Sequence, residues 1–318
     1  MAVPTRTETL NTFITSTGQN RRPGLVDSFF KSATLWARLK ERDAVRLRGG
    51  SEIRENFLYA GFGASSYGRG DEFDTSVKEF TTSMLFNWKF AYAPLNLDVI
   101  DIELNDSPER TFDIVDAAME AAELSLINDL GDQIYADGTG NASKDFDGLA
   151  NGVTQTGTYG GITRSATEGT PGFALRAGVE NTAGGVLSLA SLNSDFGSTI
   201  IGREKPDLLP TTQTLWNRIW ERSQPSERNP NPGDNRDIGF EVVRFNGADV
   251  TVDSHCPSGF LYMLNTKYWR LYVHQKWDFR MRGPMEPTNQ QRSIAQMVVW
   301  GDLICRAPRM QGVISGLT

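Results

Sequence analysis

The feature that most constrains the fold of this chain is a single long helical pattern over residues 107–136. Ser107 can cap the helix at its start, and Pro108 suits the first helical position. Apolar residues then follow one side of the helix at three- and four-residue spacing: Phe112, Val115, Met119, Ala122, Leu126, Leu130 and Ile134. A helix of this length extends about 45 Å. We therefore expect a spine that runs across the molecule.

The segment QIYADGTGNASKDFDGLANGV (residues 133–153) follows this spine and combines acidic residues with four glycines. As an EF-hand loop counted from Asp137, it would need a glycine and a glutamate where Ala142 and Gly148 stand. As a phosphate loop it would need a glycine before Lys144, which follows a serine instead. Glycine, aspartate and asparagine favour helix ends and turns, so we interpret the segment as a turn that holds no metal and no cofactor.

Bulk composition narrows the class of protein. The chain has 318 residues, of which 39% are hydrophobic and 22% charged, as expected of a folded protein with one large domain or two smaller ones. Its net charge of −7 argues against a dedicated nucleic-acid binder. There is no apolar run of about 18 residues and no apolar signal core near the start, so neither a membrane span nor export is expected.

Residues suited to nucleophilic catalysis or zinc binding are scarce. The only histidines are His255 and His274, and the only cysteines are Cys256 and Cys305. His255 and Cys256 are neighbours in an extended segment, where adjacent side chains point to opposite sides. We therefore expect two reduced, partly buried thiols and neither a catalytic pair nor a zinc site. A carboxylate pair stays open, because sequence spacing alone does not reveal one.

Residues 46–74 predict a long β-hairpin. This stretch, RLRGGSEIRENFLYAGFGASSYGRGDEFD, has six glycines, a first strand at Glu52–Tyr59, a tip rich in glycine and serine, and a return that resumes at Asp74. Its aromatic residues have no evident core partner within the hairpin. A two-stranded ribbon is marginally stable alone in water, so we expect its ordering to depend on another surface.

Shorter patterns complete an α+β chain. We expect one or two strands within residues 76–104, with a turn near Pro94, and short strands and loops in the Gly- and Thr-rich region 152–185. Helices are predicted over residues 27–42, 187–196 and 212–223, and further strands over residues 205–210, 240–245, 248–253, 257–265, 268–281 and 293–306.

The order of these parts carries a resemblance to a known family. Three segments contribute most: GGSEIRENFLYAGFGASSYGRGDEF, the spine with its IYADG end, and FNGADVTVDSHCPSGFLYMLN. In these segments and in their order and spacing, the chain resembles the major capsid proteins of tailed bacteriophages, which have the Hong Kong 97-like fold. The resemblance covers nearly the whole chain.

The resemblance implies an α+β fold with four parts. Residues 1–46 would form an N-terminal arm with a short helix, and residues 47–85 an extended loop built as a β-hairpin. Residues 86–151 and 268–318 would form a peripheral domain that contains the spine helix. Residues 152–267 would form an axial domain that meets its copies at five- and six-fold axes.

The same resemblance implies a structural subunit and not an enzyme. Copies would self-assemble into hexamers and pentamers of an icosahedral phage head that encloses double-stranded DNA. The extended loop would lie over a neighbouring subunit, with its side chains buried between chains, since interfaces are enriched in aromatic residues. The contact residues expected on this ground are Arg54, Phe57, Tyr59, Phe62, Tyr67 and Arg69.

Partners and location follow from the resemblance as well. We expect a virion component, assembled in the host cytoplasm, which works with a portal and possibly a decoration protein and contacts packaged DNA without sequence specificity. The sequence shows no long helical extension before the arm, so a scaffold would be a separate protein. Some members cross-link through a lysine near the loop tip. No lysine lies between Lys40 and Lys78, so we predict no such cross-link.

Three alternatives stay open at this point. The first is an encapsulin-like nanocompartment shell, which shares the fold and stores an enzyme in place of DNA. The second is a β-rich hydrolase with an acidic pair in the Gly- and Thr-rich region, which would be a monomer with a deep cleft. The third is another phage structural protein, such as a tail tube subunit.

Overall fold

The computed structural model describes Leu35, Leu39 and residues 44–73, 75–100, 114–223, 243–285 and 292–318. Leu35 and Leu39 are helical and buried, whereas the rest of the helix predicted over residues 27–42 lies outside the described residues. The predicted start of the spine, with Phe112, lies outside them as well.

Fifteen strands are described in these residues. In chain order they are β1 (Ala44–Leu47), β2 (Glu52–Leu58), β3 (Thr81–Asn87), β4 (Lys89–Asp98), β5 (Thr158–Tyr159), β6 (Ile162–Thr163), β7 (Val179–Asn181), β8 (Leu208–Thr211), β9 (Val243–Phe245), β10 (Ala248–Val252), β11 (Leu261–Met263), β12 (Trp269–His274), β13 (Arg280–Met285), β14 (Arg292–Cys305) and β15 (Gly312–Ile314).

The helices that matter for packing are one long helix and several short ones. They are α1 (Ile114–Tyr135), α2 (Leu149–Gly152), α3 (Pro171–Ala174), α4 (Leu189–Thr199) and α5 (Gln213–Ser223). The described part of the spine is therefore 22 residues long and ends within one residue of the prediction. The helices predicted near residues 187–196 and 212–223 are confirmed as α4 and α5.

A five-stranded sheet is built around β14, the longest strand described. Along one edge β14 pairs antiparallel with β4 over ten residues, from Arg292 opposite Asp98 to Gly301 opposite Lys89. Along its other edge it pairs antiparallel with β13 and then with β12. Strand β1 adds to β12 in parallel. The strand predicted over residues 293–306 is thus confirmed as the centre of this sheet.

Helix α1 packs on one face of the sheet. Alternation along β4 buries Ala91, Ala93 and Leu95, and the predicted stripe of α1 lies against them, with Ala122 and Met119 beside Leu95. Small residues at this contact let the helix backbone approach the sheet closely, and the long stripe buries a continuous core. The intervening residues of β4 point to the opposite face, where Phe90 and Tyr92 are exposed.

Two strand predictions in this sheet are wrong in detail. No turn occurs near Pro94, and strand β4 runs through it. Among the described strands β4 pairs with β14 alone, and an edge strand tolerates a residue without an N–H. The single strand predicted over residues 268–281 is two strands, β12 and β13. A turn separates them, closed by the Trp277 N–H donating to the His274 carbonyl at 2.9 Å, with Phe279 in the left-handed region at φ 47°.

A second core surrounds a six-stranded sheet in the order β7-β15-β11-β8-β10-β9. Helices α4 and α5 cover it through buried Phe196, Leu215 and Ile219. The predicted buried strand at residues 205–210 is confirmed as β8, whose four residues are all buried. Strand β15 belongs to this sheet, although it falls within the range assigned to the peripheral domain; the domain boundaries stay a prediction.

Candidate assembly surface

The predicted hairpin is present, but its paired part is shorter than expected. Strands β2 and β3 pair antiparallel from Glu52 opposite Asn87 to Leu58 opposite Thr81. One further backbone bond follows, from the Tyr59 N–H to the Phe80 carbonyl at 3.1 Å. The return strand therefore begins at Thr81 and not at Asp74, which lies outside the described residues. Residues 60–73 and 75–80 form the distal part of the extended loop (residues 47–85), and all of them except Ala60 are exposed.

Aromatic pairs connect the two arms of the extended loop. The ring centroids of Phe62 and Phe80 are 4.9 Å apart, and those of Tyr67 and Phe73 are 5.1 Å apart. Even so, Phe62, Tyr67 and Phe73 are 65%, 72% and 67% exposed. Large apolar side chains that stay this exposed in one loop mark an interaction surface more often than an ordinary protein surface.

The six residues predicted to contact a neighbour fall into two groups. Arg54, Phe62, Tyr67 and Arg69 are exposed, as an intermolecular contact requires. Phe57 and Tyr59 are only half-exposed, and Phe57 packs against the main core of its own chain. Sequence reasoning did not select Leu58, Phe73 and Val77, which are at least two-thirds exposed. Their apolar character within the hairpin was the signal that could have identified them.

The root of the hairpin is fixed to the five-stranded sheet. Glu55 is buried and accepts a hydrogen bond from Arg306 Nε at 3.0 Å and another from the Tyr272 hydroxyl. On the other strand, the Leu85 N–H donates to the Gly160 carbonyl at 3.0 Å. A Cβ on Gly160 would lie 2.5 Å from the Cβ of Met84, so glycine allows this close approach. These contacts set the direction in which the loop projects.

A second exposed surface lies on the sheet face opposite α1, and we call it the aromatic face. Trp277 stacks on Trp300 with centroids 4.7 Å apart, and Phe90 meets Trp300 edge-on at 5.0 Å. Arg280 lies over the Trp277 ring at 5.5 Å from its centroid. Together with Tyr92 and Arg282, these rings line an open cavity of ≈ 500 Å³. Exposed aromatic and arginine side chains are the composition that protein interfaces favour.

Cys256 and His255 contact different partners. The thiol of Cys256 faces the backbone carbonyls of Pro257 and Phe260, and burial raises the pKa of Cys256 to about 12. His255 instead pairs through Nδ1 with Asp132 of α1 at 2.5 Å. Cys305 is buried in β14. Among the residues that the structure describes, no group of three or more His, Cys, Asp or Glu side chains could hold a metal ion.

The segment after α1 is a turn, as predicted. Asp137 accepts hydrogen bonds from the Thr139 N–H at 3.0 Å and hydroxyl at 2.7 Å, and these bonds lower the pKa of Asp137. Gly138 has φ 77°, and residues 141–143 continue in the left-handed region. The chain then returns to the sheet, where the Asp147 N–H donates to buried Asp302 at 2.8 Å. In the described parts of the chain, no helix is long and apolar enough to span a membrane.

Comparisons with known proteins find similarity in structure and not in sequence. No protein-family model matches the chain, and no curated protein matches it. Among solved structures, a chain of the cyanophage A-1(L) capsid has a TM-score of 0.73 at 14% identity, covering 97% of this chain and 99% of that one. The capsid of a native GTA particle has a TM-score of 0.66 at 9% identity, covering 95% and 96%.

A third solved structure is a shell of another kind. The SrpI encapsulin from Synechococcus elongatus PCC 7942 has a TM-score of 0.61 at 9% identity and covers 100% of this chain and 96% of that one. Taken together with the spine, hairpin and two sheets, these similarities define the class: the chain has the Hong Kong 97-like capsid fold. The predicted α+β fold class is thus confirmed over nearly the whole chain.

Proposed function

We propose that this protein is a shell-forming structural subunit, the major capsid protein of a tailed-phage head, and not an enzyme. In this proposal it assembles into hexamers and pentamers around double-stranded DNA. The observation that carries the proposal is the extended loop: a capsid-type fold holds, on a fixed root, aromatic side chains that are about two-thirds exposed. A single chain would have no reason to keep such side chains in water.

The extended loop is proposed as a contact with a second copy. An aromatic side chain buries about 150–250 Å² when it is covered, so Phe62, Tyr67 and Phe73 could contribute roughly 300–500 Å² of the roughly 800 Å² per partner of a stable interface. Val77 and Leu58, which are also exposed, extend the same surface. Burial of this size favours association when several copies surround each subunit.

The aromatic face is the proposed receiving surface on the neighbour. It presents Arg280 and Arg282 beside its rings. The tip of the extended loop carries Asp71 and Glu72, both exposed. Opposite charges at the rim of an apolar contact set its register and exclude wrong partners. The two surfaces share an aromatic composition, and Asp71 and Glu72 are proposed to pair with the arginines, whereas Arg69 of the same tip carries a like charge.

Negative-stain microscopy of the purified chain, with and without its co-expressed scaffold, tests this proposal. We expect closed icosahedral shells, and tubes or single particles only would contradict it. A variant with Phe62, Tyr67 and Phe73 changed to Ser should stay folded and fail to form shells. Val186→Ser, which removes an exposed apolar side chain elsewhere, is the matched control and should assemble normally.

An encapsulin-like compartment is the second candidate, and the similarity to the SrpI encapsulin over the whole chain supports it. The content of purified particles separates the two: packaged DNA for a phage head, a cargo enzyme for a compartment. We keep a separate scaffold, a portal, a possible decoration protein, non-specific DNA contacts, assembly in the host cytoplasm and residence in the virion as parts of the proposal. The hydrolase alternative would need an acidic pair in the Gly- and Thr-rich region, and the similarity to capsid and encapsulin shells gives it no support.

A further inference from the structure

A pair of carboxyl groups lies at the junction between the turn after α1 and the central strand β14. Asp302 of β14 is fully buried, and its Oδ1 accepts hydrogen bonds from the N–H groups of Asp147 at 2.8 Å and Leu303 at 2.9 Å. No donor among the described residues reaches its other oxygen, Oδ2. The carboxyl group of Asp147 lies within hydrogen-bonding reach of Asp302. We call these two groups the carboxyl pair.

An ionised carboxylate buried without a donor is costly, and two adjacent carboxylates cannot bond to each other. A single proton removes one of the two charges and supplies the missing donor, because a protonated carboxyl group donates its O–H to the other carboxylate. Burial is the largest influence on both groups and raises the pKa of Asp302 and of Asp147. The charge of Asp147 raises the pKa of Asp302 further, whereas side-chain hydrogen bonds with Asn151 and with Asp302 lower the pKa of Asp147. The burial of Asp302 and the missing donor at its Oδ2 both favour one shared proton at a pH where ordinary aspartates are ionised.

The charged groups around the pair do not replace that proton. The charge of Lys89 on β4 lowers the pKa of both carboxyl groups, and its Nζ donates to the Ser143 carbonyl at 2.7 Å. The turn contributes Asp137, which raises the pKa of Asp147 further. From β5, the buried Tyr159 stays neutral, because burial raises its pKa. One proton leaves the pair with a single negative charge opposite Lys89, whereas its loss leaves two beside Asp137.

We propose that Asp147 and Asp302 share one proton and that this proton holds the turn after α1 against β14, so that the junction opens as the pH rises. The folded junction binds a proton that the opened junction releases. Its stability is therefore fully present at low pH and falls as the pH rises above the usual range of an aspartate. This inference concerns the single chain and does not depend on the proposed function.

Hydrogen–deuterium exchange of the full-length chain measures this opening directly. The reporters are peptides that contain the Asp147 and Leu303 amides, both of which bond to Asp302. After correction for intrinsic exchange, we expect their protection to fall by up to about tenfold per pH unit as the pH rises above the usual range of an aspartate. Protection that does not change with pH in the unsubstituted protein would overturn the proposal.

Substitutions identify the proton. Asp302→Asn keeps the size of the side chain, carries no charge and can donate its amide N–H to Asp147, so protection should lose its pH dependence. Asp147→Asn removes the same pair from the other side and serves if the first variant does not fold. Asp145→Asn removes a neighbouring charge from the same turn and should keep the slope of the unsubstituted protein. An equal flattening in Asp145→Asn would assign the effect to general negative charge and reject the shared proton.

Discussion

The root of the hairpin gives the sharpest test of how the extended loop is positioned. Glu55→Gln keeps the shape of the side chain and removes its charge. The variant weakens the charge-assisted hydrogen bond from Arg306 and the bond from Tyr272. Glu55 has a side chain only 10% exposed, whereas that of Arg306 is 37% exposed, so solvent screens part of the loss. Each weakened bond costs about 1 kcal/mol, and the total is about 2 kcal/mol.

Two measurements check this value. The apparent melting temperature should fall by about 4 °C, and hydrogen exchange should rise in β2 and β3 more than in β8. Glu52→Gln is the matched control, because Glu52 is on the same strand and is exposed. The reasoning is wrong if the two variants have the same stability and the same exchange in the hairpin.

Four further predictions use independent features. Arg164 is a buried cation that donates to backbone carbonyls and lies over Tyr159. Arg164→Met should lower the free energy of unfolding, measured in urea, by about 3 kcal/mol. Gly160→Ala should lower the free energy of unfolding by about 2 kcal/mol in the same assay, because φ at this position is +55° and the new Cβ would press on Met84. Gly161→Ala is the control: its Cβ would meet no atom within 4 Å, so it measures the effect of the backbone conformation alone. Cys256 should react with thiol reagents only after unfolding, because its pKa is about 12; rapid labelling of the native chain would contradict this. Assembled shells should run as monomers on denaturing gels, and covalent ladders would disprove the predicted absence of a loop cross-link.

Local sequence patterns predicted the helices and the buried strands well. The apolar stripe of α1 follows from a 3.6-residue period, and its end follows from a glycine-rich turn. Each of these signals is formed by residues that lie close together in sequence. The stripe of α5, with Leu215 and Ile219, was equally clear. These elements were predictable because the residues that specify them are close in sequence.

Strand limits and contacts were less predictable. The length of β3 and the continuity of β4 through Pro94 depend on which partner strand lies alongside, and for β4 that partner is about 200 residues away. No local signal distinguishes Asp302, whose partner Asp147 comes from a turn 155 residues earlier. The sequence therefore allowed a carboxylate pair but did not show which two residues form it.

By itself, the sequence determined the α+β class, the spine, the hairpin with its aromatic residues, and the order of parts that resembles a capsid protein. Only the tertiary structure decided which of those aromatic residues stay exposed, which sheet face lies opposite α1, and where two carboxyl groups share a buried junction. The physical reason is that periodicity and turn chemistry act over a few residues, whereas burial and charge pairing depend on segments that only the folded chain brings together.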